Sequence, residues 1–310
     1  MITALAGGVG AARFLRGLID VVPPADVTAV VNTGDDIVLH GLHISPDLDT
    51  VTYTLADAID RERGWGLGGE TWQAMESLER YKGNTWFRLG DRDLATHLYR
   101  TQRLGDGQTL TAVTAEIAQA WGLGLRILPM SDDRVETRVV VEGEGEIGFQ
   151  EYFVGRQHGV PVSEVRFAGV DTANPGPGVL DALADADVVV ICPSNPIVSI
   201  GPVIAVGGVR DAVVARREQA IAVSPIIAGR ALKGPADRML TELGHEASVV
   251  GVARLYAPLV ATLVIDEEDA DRVDAVEAEG LRCVVAQTIM HGPAEAAALA
   301  KVVLAAAGRD

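Results

Sequence analysis

Short apolar runs rich in Val, Ile and Ala alternate along the chain with longer stretches of helical periodicity. The alternation is typical of a parallel β-sheet covered by helices, because a strand that is buried on both sides carries a continuous apolar run. We therefore predict an α/β fold with a Rossmann-like, mostly parallel sheet and helices on both faces. Seven runs predict its strands: residues 2–5, 27–31, 125–128, 188–192, 220–223, 262–265 and 282–285.

Two segments between these strands are too long to be simple crossovers. Residues 46–122 show mainly helical periodicity and predict a largely helical inserted lobe. Residues 134–181 begin with alternating polar and apolar positions that lead into Gly143-Glu144-Gly145, and this pattern predicts a small β-hairpin insertion. No internal repeat or flexible linker separates the segments, so we expect residues 1–310 to form a single α/β body.

The composition limits the classes of function. The chain has 310 residues, of which 48% are hydrophobic, and this supports a substantial core and excludes a disordered chain or a disulfide-stapled miniprotein. Its 43 acidic and 26 basic residues give a net charge of −17, which disfavours nonspecific binding of nucleic acid. Any bound phosphate must then be held locally, by backbone N–H groups, a helix N-terminus or a divalent cation.

The expected compartment is the cytoplasm. Cys192 and Cys283 lack the spacing of a metal site, and Cys192 lies in an apolar run that predicts a buried small hydrophobe in a reducing environment. The first apolar segment contains Arg13 and Arg16, so it does not resemble a signal peptide. No stretch has the ~18 uninterrupted apolar residues of a membrane span, so we expect no membrane partner.

A glycine-rich loop follows the first predicted strand. Gly7, Gly8 and Gly10 precede an amphipathic helical pattern, and glycine allows a phosphate to approach the backbone at a helix N-terminus. The loop is therefore a candidate nucleotide-phosphate site. It lacks the full dinucleotide fingerprint, because Arg13 stands where a third small residue should pack the helix against the strand. A tight strand-to-helix turn without a ligand is the alternative.

Carboxylates follow the second predicted strand. Asp35 and Asp36 come directly after it, and Ser45 is the predicted N-cap of a helix whose first turn contains Asp47 and Asp49. Asp47 is explained equally well as a complement to the helix dipole. Clustered carboxylates are costly unless a cation neutralises them, so Asp35, Asp36 and Asp49 predict a metal site. Oxygen ligands without His or Cys at zinc spacing favour Mg²⁺.

Seven segments, in order, resemble a known family. They are residues 7–15 (GGVGAARFL), 32–42 (NTGDDIVLHGL), 45–50 (SPDLDT), 64–66 (GWG), 86–93 (WFRLGDRD), 128–133 (LPMSDD) and 192–200 (CPSNPIVSI). Together they are similar to the 2-phospho-L-lactate transferase family of deazaflavin coenzyme (coenzyme F-420) biosynthesis, which includes phosphoenolpyruvate transferases. The likeness spans residues 2 to about 240.

The resemblance implies a Mg²⁺-dependent transferase. A phospholactyl or phosphoenolpyruvyl group would pass from a guanosine diphosphate-linked donor to the ribityl hydroxyl of Fo, the deazaflavin precursor, with release of GMP. Asp49 and Arg88 would contact Fo, with residues 46–122 on the Fo side of the cleft, and the chain would form a homodimer. Our hypothesis is that Asp49 orients or deprotonates the hydroxyl, while Asp35 and Asp36 position the cation.

The aromatic neighbours of Arg88 favour a flat ligand. Trp86 and Arg88 are candidate Fo contacts, since an arginine can hydrogen-bond or stack beside a deazaflavin. A surface arginine paired with Asp91 or Asp93 is the alternative.

Polar residues at other strand ends complete the predicted nucleotide side. The resemblance implies that Ser194 and Asn195 lie near the nucleotide and its diphosphate, and a plain turn is the alternative. Further candidate nucleotide or phosphate contacts at strand-end loops are Asn32, Thr33, His40 and Lys233.

Two other classes of protein compete with the transferase. An NAD-dependent dehydrogenase needs the third small residue that Arg13 replaces, and an acidic residue at the second strand that Asp35 supplies only in part. A noncatalytic nucleotide-sugar-binding regulator of a related group shares the opening glycine loop, but it resembles this chain little after Asp36. Binding of NAD or of a deazaflavin separates the three.

Overall fold

Seven parallel strands form the central sheet of the computed structural model, which describes residues 1–309. The fourteen strands of these residues are β1 (Ile2–Ala6), β2 (Val27–Val31), β3 (Ile37–Leu39), β4 (Leu42–Ile44), β5 (Arg126–Pro129), β6 (Glu136–Val141), β7 (Gly145–Gly148), β8 (Val162–Ala168), β9 (Val188–Ile191), β10 (Ala220–Val223), β11 (Ile226–Ile227), β12 (Arg230–Ala231), β13 (Thr262–Asp266) and β14 (Arg282–Ala286).

Twelve α-helices accompany the strands within residues 1–309. They are α1 (Gly8–Val21), α2 (Pro46–Leu55), α3 (Gln73–Arg80), α4 (Asp93–Gly105), α5 (Leu110–Ala120), α6 (Val179–Ala184), α7 (Gly201–Ala205), α8 (Val209–Ala215), α9 (Ala236–Glu242), α10 (Val249–Tyr256), α11 (Val273–Glu277) and α12 (Pro293–Ala306).

The central sheet has the order β14-β13-β10-β9-β1-β2-β5, and every neighbouring pair in it is parallel. The predicted α/β fold class is therefore confirmed, and all seven predicted strands are present. The chain moves outwards in one direction from β1 and in the other direction from β9, so the strand order reverses between them. Ligands of open α/β sheets bind at this reversal, outside the carboxyl ends of the strands.

Both faces of the sheet are covered by apolar side chains. Along β1, Leu5 faces one core and its neighbours Ala4 and Ala6 face the other, as the period of two along a strand requires. The second core contains the contact between α1 and α12. Gly17 permits this contact, since a Cβ at that position would lie 2.2 Å from the backbone of Ala296.

The segment between β2 and β5 contains the β3–β4 hairpin and helices α2 to α5. After β5, β6 pairs with β7 through the predicted Gly143–Gly145 turn, so the β-hairpin is confirmed. A third strand, β8, pairs with the other edge of β6 and was not predicted. Most of the β8 side chains are at least partly exposed, so this strand lacks the apolar alternation that marks β6.

Within residues 1–309, no single helix is both long and apolar enough to cross a membrane. One bent pair, Pro196–Ala205 with Val209–Ala215, meets the length and composition criteria together, with an angle of 96° between its two parts.

Candidate active site

The glycine loop after β1 packs directly against the loop after β9. A Cβ at Gly10 would lie 2.2 Å from the carbonyl oxygen of Pro193, and one at Gly7 would lie 2.8 Å from the Cβ of Ser199. Any larger residue at either position would force the two loops apart. The structure thus brings together the two predicted nucleotide loops, at the point where the strand order reverses.

Asp47 ties the inserted segment to this glycine loop. Its Oδ2 accepts a hydrogen bond from Asn32 Nδ2 at 2.9 Å, and the backbone N–H of Gly8 also donates to its carboxylate. The Oδ1 of Asn32 accepts in turn from the Gly34 N–H at 2.8 Å. Asp47 therefore does more than complement a helix dipole. The Gly8 N–H, one of the amides expected to face phosphate, is directed at Asp47.

Three carboxylates converge beside the loop, and no basic side chain of residues 1–309 forms an ion pair with them, although the charge of Arg100 acts on Asp36. Burial raises the pKa of Asp47 to about 6. Burial, and then the charge of Asp47, raises the pKa of Asp35 well above its ordinary value, and burial does the same for Asp36. Asp35 Oδ1 and Asp36 Oδ1 are buried and have no hydrogen-bond partner within residues 1–309. Such a cluster gains stability from any cation that reaches these oxygens.

Ser45 occupies the predicted N-cap position of α2 but does not cap the helix through its side chain. Its hydroxyl instead donates to Asp36 Oδ2 at 2.6 Å. The prediction that Ser45 is the N-cap residue of α2 is therefore confirmed, although its side chain makes no capping hydrogen bond. Ser45 acts on the neighbouring carboxylate.

Asp49 lies in a different environment from the other acidic residues. It is 5% exposed, and the guanidinium of Arg100 donates to both of its carboxylate oxygens. The opposite charge beside Asp49 thus comes from the protein itself. We did not predict a role for Arg100, or for its neighbour His97 on α4. The only sequence signal was their spacing of three residues, which places both side chains on one face of a helix.

Arg88 and Trp86 lie in the inserted lobe, between α3 and α4. The Arg88 side chain is exposed, and its guanidinium carbon lies 4.7 Å from the centre of the Trp72 ring. Asp91 accepts from backbone N–H groups at the start of α3, and Asp93 accepts from Tyr53, so neither is paired with Arg88 within residues 1–309. Trp86, Asp35 and Asp36 line a common cavity of about 200 Å³.

Ser194 and Asn195 follow β9, as expected. The Oδ1 of Asn195 accepts from the N–H groups of Ile197 and Val198, so this side chain caps the following turn. The hydroxyl of Ser194 is buried and has no partner in the described chain, so it has a donor available for a ligand.

The remaining predicted contacts are distributed around the site. Thr33 is buried, and its carbonyl oxygen accepts the N–H of Asp36 at 3.2 Å. His40 is exposed at the tip of the β3–β4 hairpin, with a positive φ of 55°. Lys233 lies against the inserted lobe, where its Nζ would be 2.5 Å from a Cβ on Gly64, and burial and then the charge of Arg13 lower its pKa.

Comparisons with known proteins agree with the resemblance seen in the seven motifs. The chain matches the family described as 2-phospho-L-lactate transferase CofD over residues 2–299. The phosphoenolpyruvate transferase of Streptomyces griseus is 47% identical over 308 residues, covering 98% of this chain and 97% of the relative. That of Mycolicibacterium smegmatis is 42% identical over 322 residues, covering 99% and 98%.

A solved structure shares the fold. A UPF0052 family protein from Bacillus halodurans has a TM-score of 0.62 and 16% sequence identity, and the match covers 98% of each chain. At this identity the likeness concerns the fold alone.

Proposed function

The chain belongs to the 2-phospho-L-lactate transferase CofD family, and we propose that it transfers a phosphoenolpyruvyl group to Fo in coenzyme F-420 biosynthesis. The donor is the guanosine diphosphate-linked form of the three-carbon acid, and GMP is the second product. The names of its relatives favour the enolpyruvyl donor over the lactyl donor.

One observation carries the proposal. Asp35 and Asp36 each keep a buried carboxylate oxygen without a partner in residues 1–309, beside the glycine loop at the reversal of the strand order. A diphosphate alone would be repelled by these carboxylates, whereas a diphosphate with a divalent cation matches them. The Gly8 N–H is directed at Asp47, so the other N–H groups at the N-terminus of α1 and the free Ser194 hydroxyl would supply the donors for the phosphate oxygens.

Mg²⁺ fits this donor set, because carboxylate oxygens are its preferred protein ligands. Asp35 and Asp36 would hold it, and Asp49, whose two oxygens are bonded to Arg100, would contribute less. When bound, the cation supplies positive charge that offsets the charge developing on the phosphate oxygens.

The chemical step needs alignment more than a covalent intermediate. The ribityl hydroxyl oxygen of Fo attacks the phosphorus that bears the enolpyruvyl group. A bond forms between these atoms, the bond from phosphorus to the GMP oxygen breaks, and the hydroxyl proton leaves. Asp49 orients this hydroxyl or accepts its proton. Arg88 and Trp86 provide a cationic and an aromatic surface for the flat ring system.

The test is to identify the product. The protein is incubated with Fo, Mg²⁺ and either the enolpyruvyl or the lactyl guanylylated donor, and the products are analysed by mass spectrometry. We expect the mass of Fo plus the phosphoenolpyruvyl group, together with GMP. Binding of the donor without turnover of Fo would instead favour the noncatalytic regulator. Turnover with the lactyl donor alone would refute the choice of donor.

A further inference from the structure

Five buried side chains, including that of Asp49, connect α2 to α4, and we call them the α2–α4 cluster. Helix α2 contributes Asp49 and Tyr53, four residues apart, and α4 contributes Asp93, His97 and Arg100. These spacings place each set on one face of its helix. Every member is 8% exposed or less, so the cluster is an almost fully buried polar network inside the lobe.

The guanidinium of Arg100 holds both oxygens of Asp49. Its Nη1 donates to Oδ2 at 3.2 Å, and its Nη2 donates to Oδ1. A bidentate contact of this kind fixes the rotation of a carboxylate as well as its position. A lysine in its place would keep the charge but lose the planar pair of donors.

Arg100 is itself held by the other members of the cluster. Its Nη1 lies 3.3 Å from His97 Nδ1, and an arginine can only donate, so the ring proton of neutral His97 belongs on Nε2. That Nε2 lies 3.3 Å from Asp93 Oδ2, and Tyr53 donates to Asp93 Oδ1 at 2.6 Å. The chain of contacts therefore runs from Tyr53 through Asp93, His97 and Arg100 to Asp49.

The same residues also satisfy the spacing of a metal site. One ligand atom each from Asp49, Asp93 and His97 lies within 4.8 Å of the others. The Arg100 guanidinium already contacts Asp49 and His97 there and provides the positive charge. This positive charge lies beside Asp49, whereas Asp93 contacts His97 and Tyr53.

We infer that Arg100 is a positioning residue of the transfer reaction, which holds the Asp49 carboxylate in the orientation that addresses the acceptor hydroxyl. This inference rests on the proposed function, which supplies the role of Asp49. A buried ion pair is a weak source of stability, because the cost of desolvating both charges offsets their attraction. Fixing the carboxylate explains the arrangement better, since misplacing a reacting group by about 1 Å costs about 100-fold in rate.

The first test compares two arginines of the same helix. Arg100→Lys keeps a positive charge at the cluster, and Arg103→Lys makes the same change where the arginine pairs with Glu116 near the surface. We expect kcat of Arg100→Lys to fall about 10- to 100-fold, with the KM for the donor within about twofold of the wild type. Both constants of Arg103→Lys should stay within about twofold. An unchanged kcat in Arg100→Lys overturns the inference.

A double-mutant cycle separates positioning from a general structural role. If Arg100 acts through Asp49, Arg100→Lys adds no further loss of kcat in an Asp49→Asn background. If the two losses multiply instead, the inference is wrong. A wild type that forms no product from Fo and either donor refutes the proposed function, which is a different outcome.

A second variant covers the case in which Arg100→Lys does not fold. Tyr53→Phe keeps the ring but removes the hydroxyl that donates to Asp93, at the far end of the cluster. We expect a smaller fall in kcat, about threefold, that disappears in the Asp49→Asn background. No fall, or a fall that persists in that background, overturns the inference.

Discussion

Asp47 and Asp49 lie in the same turn of α2, yet their surroundings differ completely. Two residues of a helix are separated by about 200° around its axis, so the two carboxylates face different elements. Asp47 faces the glycine loop, where no basic side chain of residues 1–309 forms an ion pair with it. Asp49 faces α4 and is bonded twice by Arg100. Asp47 thus has no ion-pair partner among the described residues, and Asp49 has one.

The neighbouring residues extend this contrast. On the glycine-loop side, burial raises the pKa of Asp35 and Asp36. On the α4 side, burial alone would raise the pKa of Asp93, but its contact with His97, and then Tyr53 and the charge of Arg100, lower it below its ordinary value. The difference teaches that the protein supplies the charge that fixes the Asp49 side of the site. On the glycine-loop side, no basic side chain within residues 1–309 forms an ion pair with Asp35, Asp36 or Asp47.

The largest expected effect distinguishes the two carboxylates directly. Asp49→Asn removes the charge that compensates the buried Arg100 and should lower the free energy of unfolding by about 3–5 kcal/mol. Asp47→Asn removes a buried carboxylate that has no cation, so the same quantity should stay constant or rise. Urea denaturation at pH 7.5 with a chelator measures both. If the free energy of unfolding falls equally in the two variants, the different surroundings of Asp47 and Asp49 do not affect stability.

The next effect concerns the contact between the two nucleotide loops. Gly10→Ala places a methyl group 2.2 Å from the carbonyl oxygen of Pro193 and should lower the free energy of unfolding by about 3 kcal/mol. Gly105→Ala, at the end of α4, is the matched control, because nothing lies within 4 Å of its Cβ position. It should leave stability unchanged or raise it slightly. A Gly10→Ala protein as stable as the control contradicts the close packing of the loops.

Much of the sheet could be predicted from the sequence. Six of the seven strands are almost wholly buried, and the edge strand β14 is partly buried but still has the run Cys283–Ala286. Each therefore appears as an apolar run, and the predicted bounds lie within one residue of those in the structure. The β6–β7 hairpin was also predictable, because Gly143-Glu144-Gly145 marks its turn. The strand β8 had none, because only Val162 among its seven residues is fully buried. Its pairing with β6 therefore depends on tertiary contacts that periodicity does not record.

Part of the candidate site was predictable for a similar local reason. The glycine loop and the residues Asn32, Asp35 and Asp36 follow parallel strands, and the carboxyl ends of such strands meet at one edge. The contact between Arg100 and Asp49 was not predictable, because the packing of α4 on α2 decides which arginine faces Asp49. Helical spacing shows which residues share a face, and it does not show what that face contacts.

A third effect follows from the pKa of Asp47, which burial raises to about 6. Below about pH 3 the carboxyl is mostly protonated in both the folded and the unfolded chain. As the pH rises towards 6, the unfolded chain loses this proton before the folded chain does, so the free energy of unfolding falls. Above pH 6 both states are ionised, and this free energy falls no further. With a chelator present, the free energy of unfolding of the wild type should fall by about 2 kcal/mol more between pH 4 and 7 than that of Asp47→Asn. Parallel pH profiles of the two proteins would contradict the raised pKa.

The smallest effect is the response to the cation. At ten times its dissociation constant, Mg²⁺ should raise the free energy of unfolding of the wild type by about 1.4 kcal/mol at pH 7.5. Asp36→Asn removes one of the buried carboxylates without a full set of partners, so it should reduce this gain. Asp57→Asn is the control, because Asp57 is exposed and paired with Arg61. An equal Mg²⁺ response in all three proteins would place the cation elsewhere on the acidic surface, and the donor side would then need another source of positive charge.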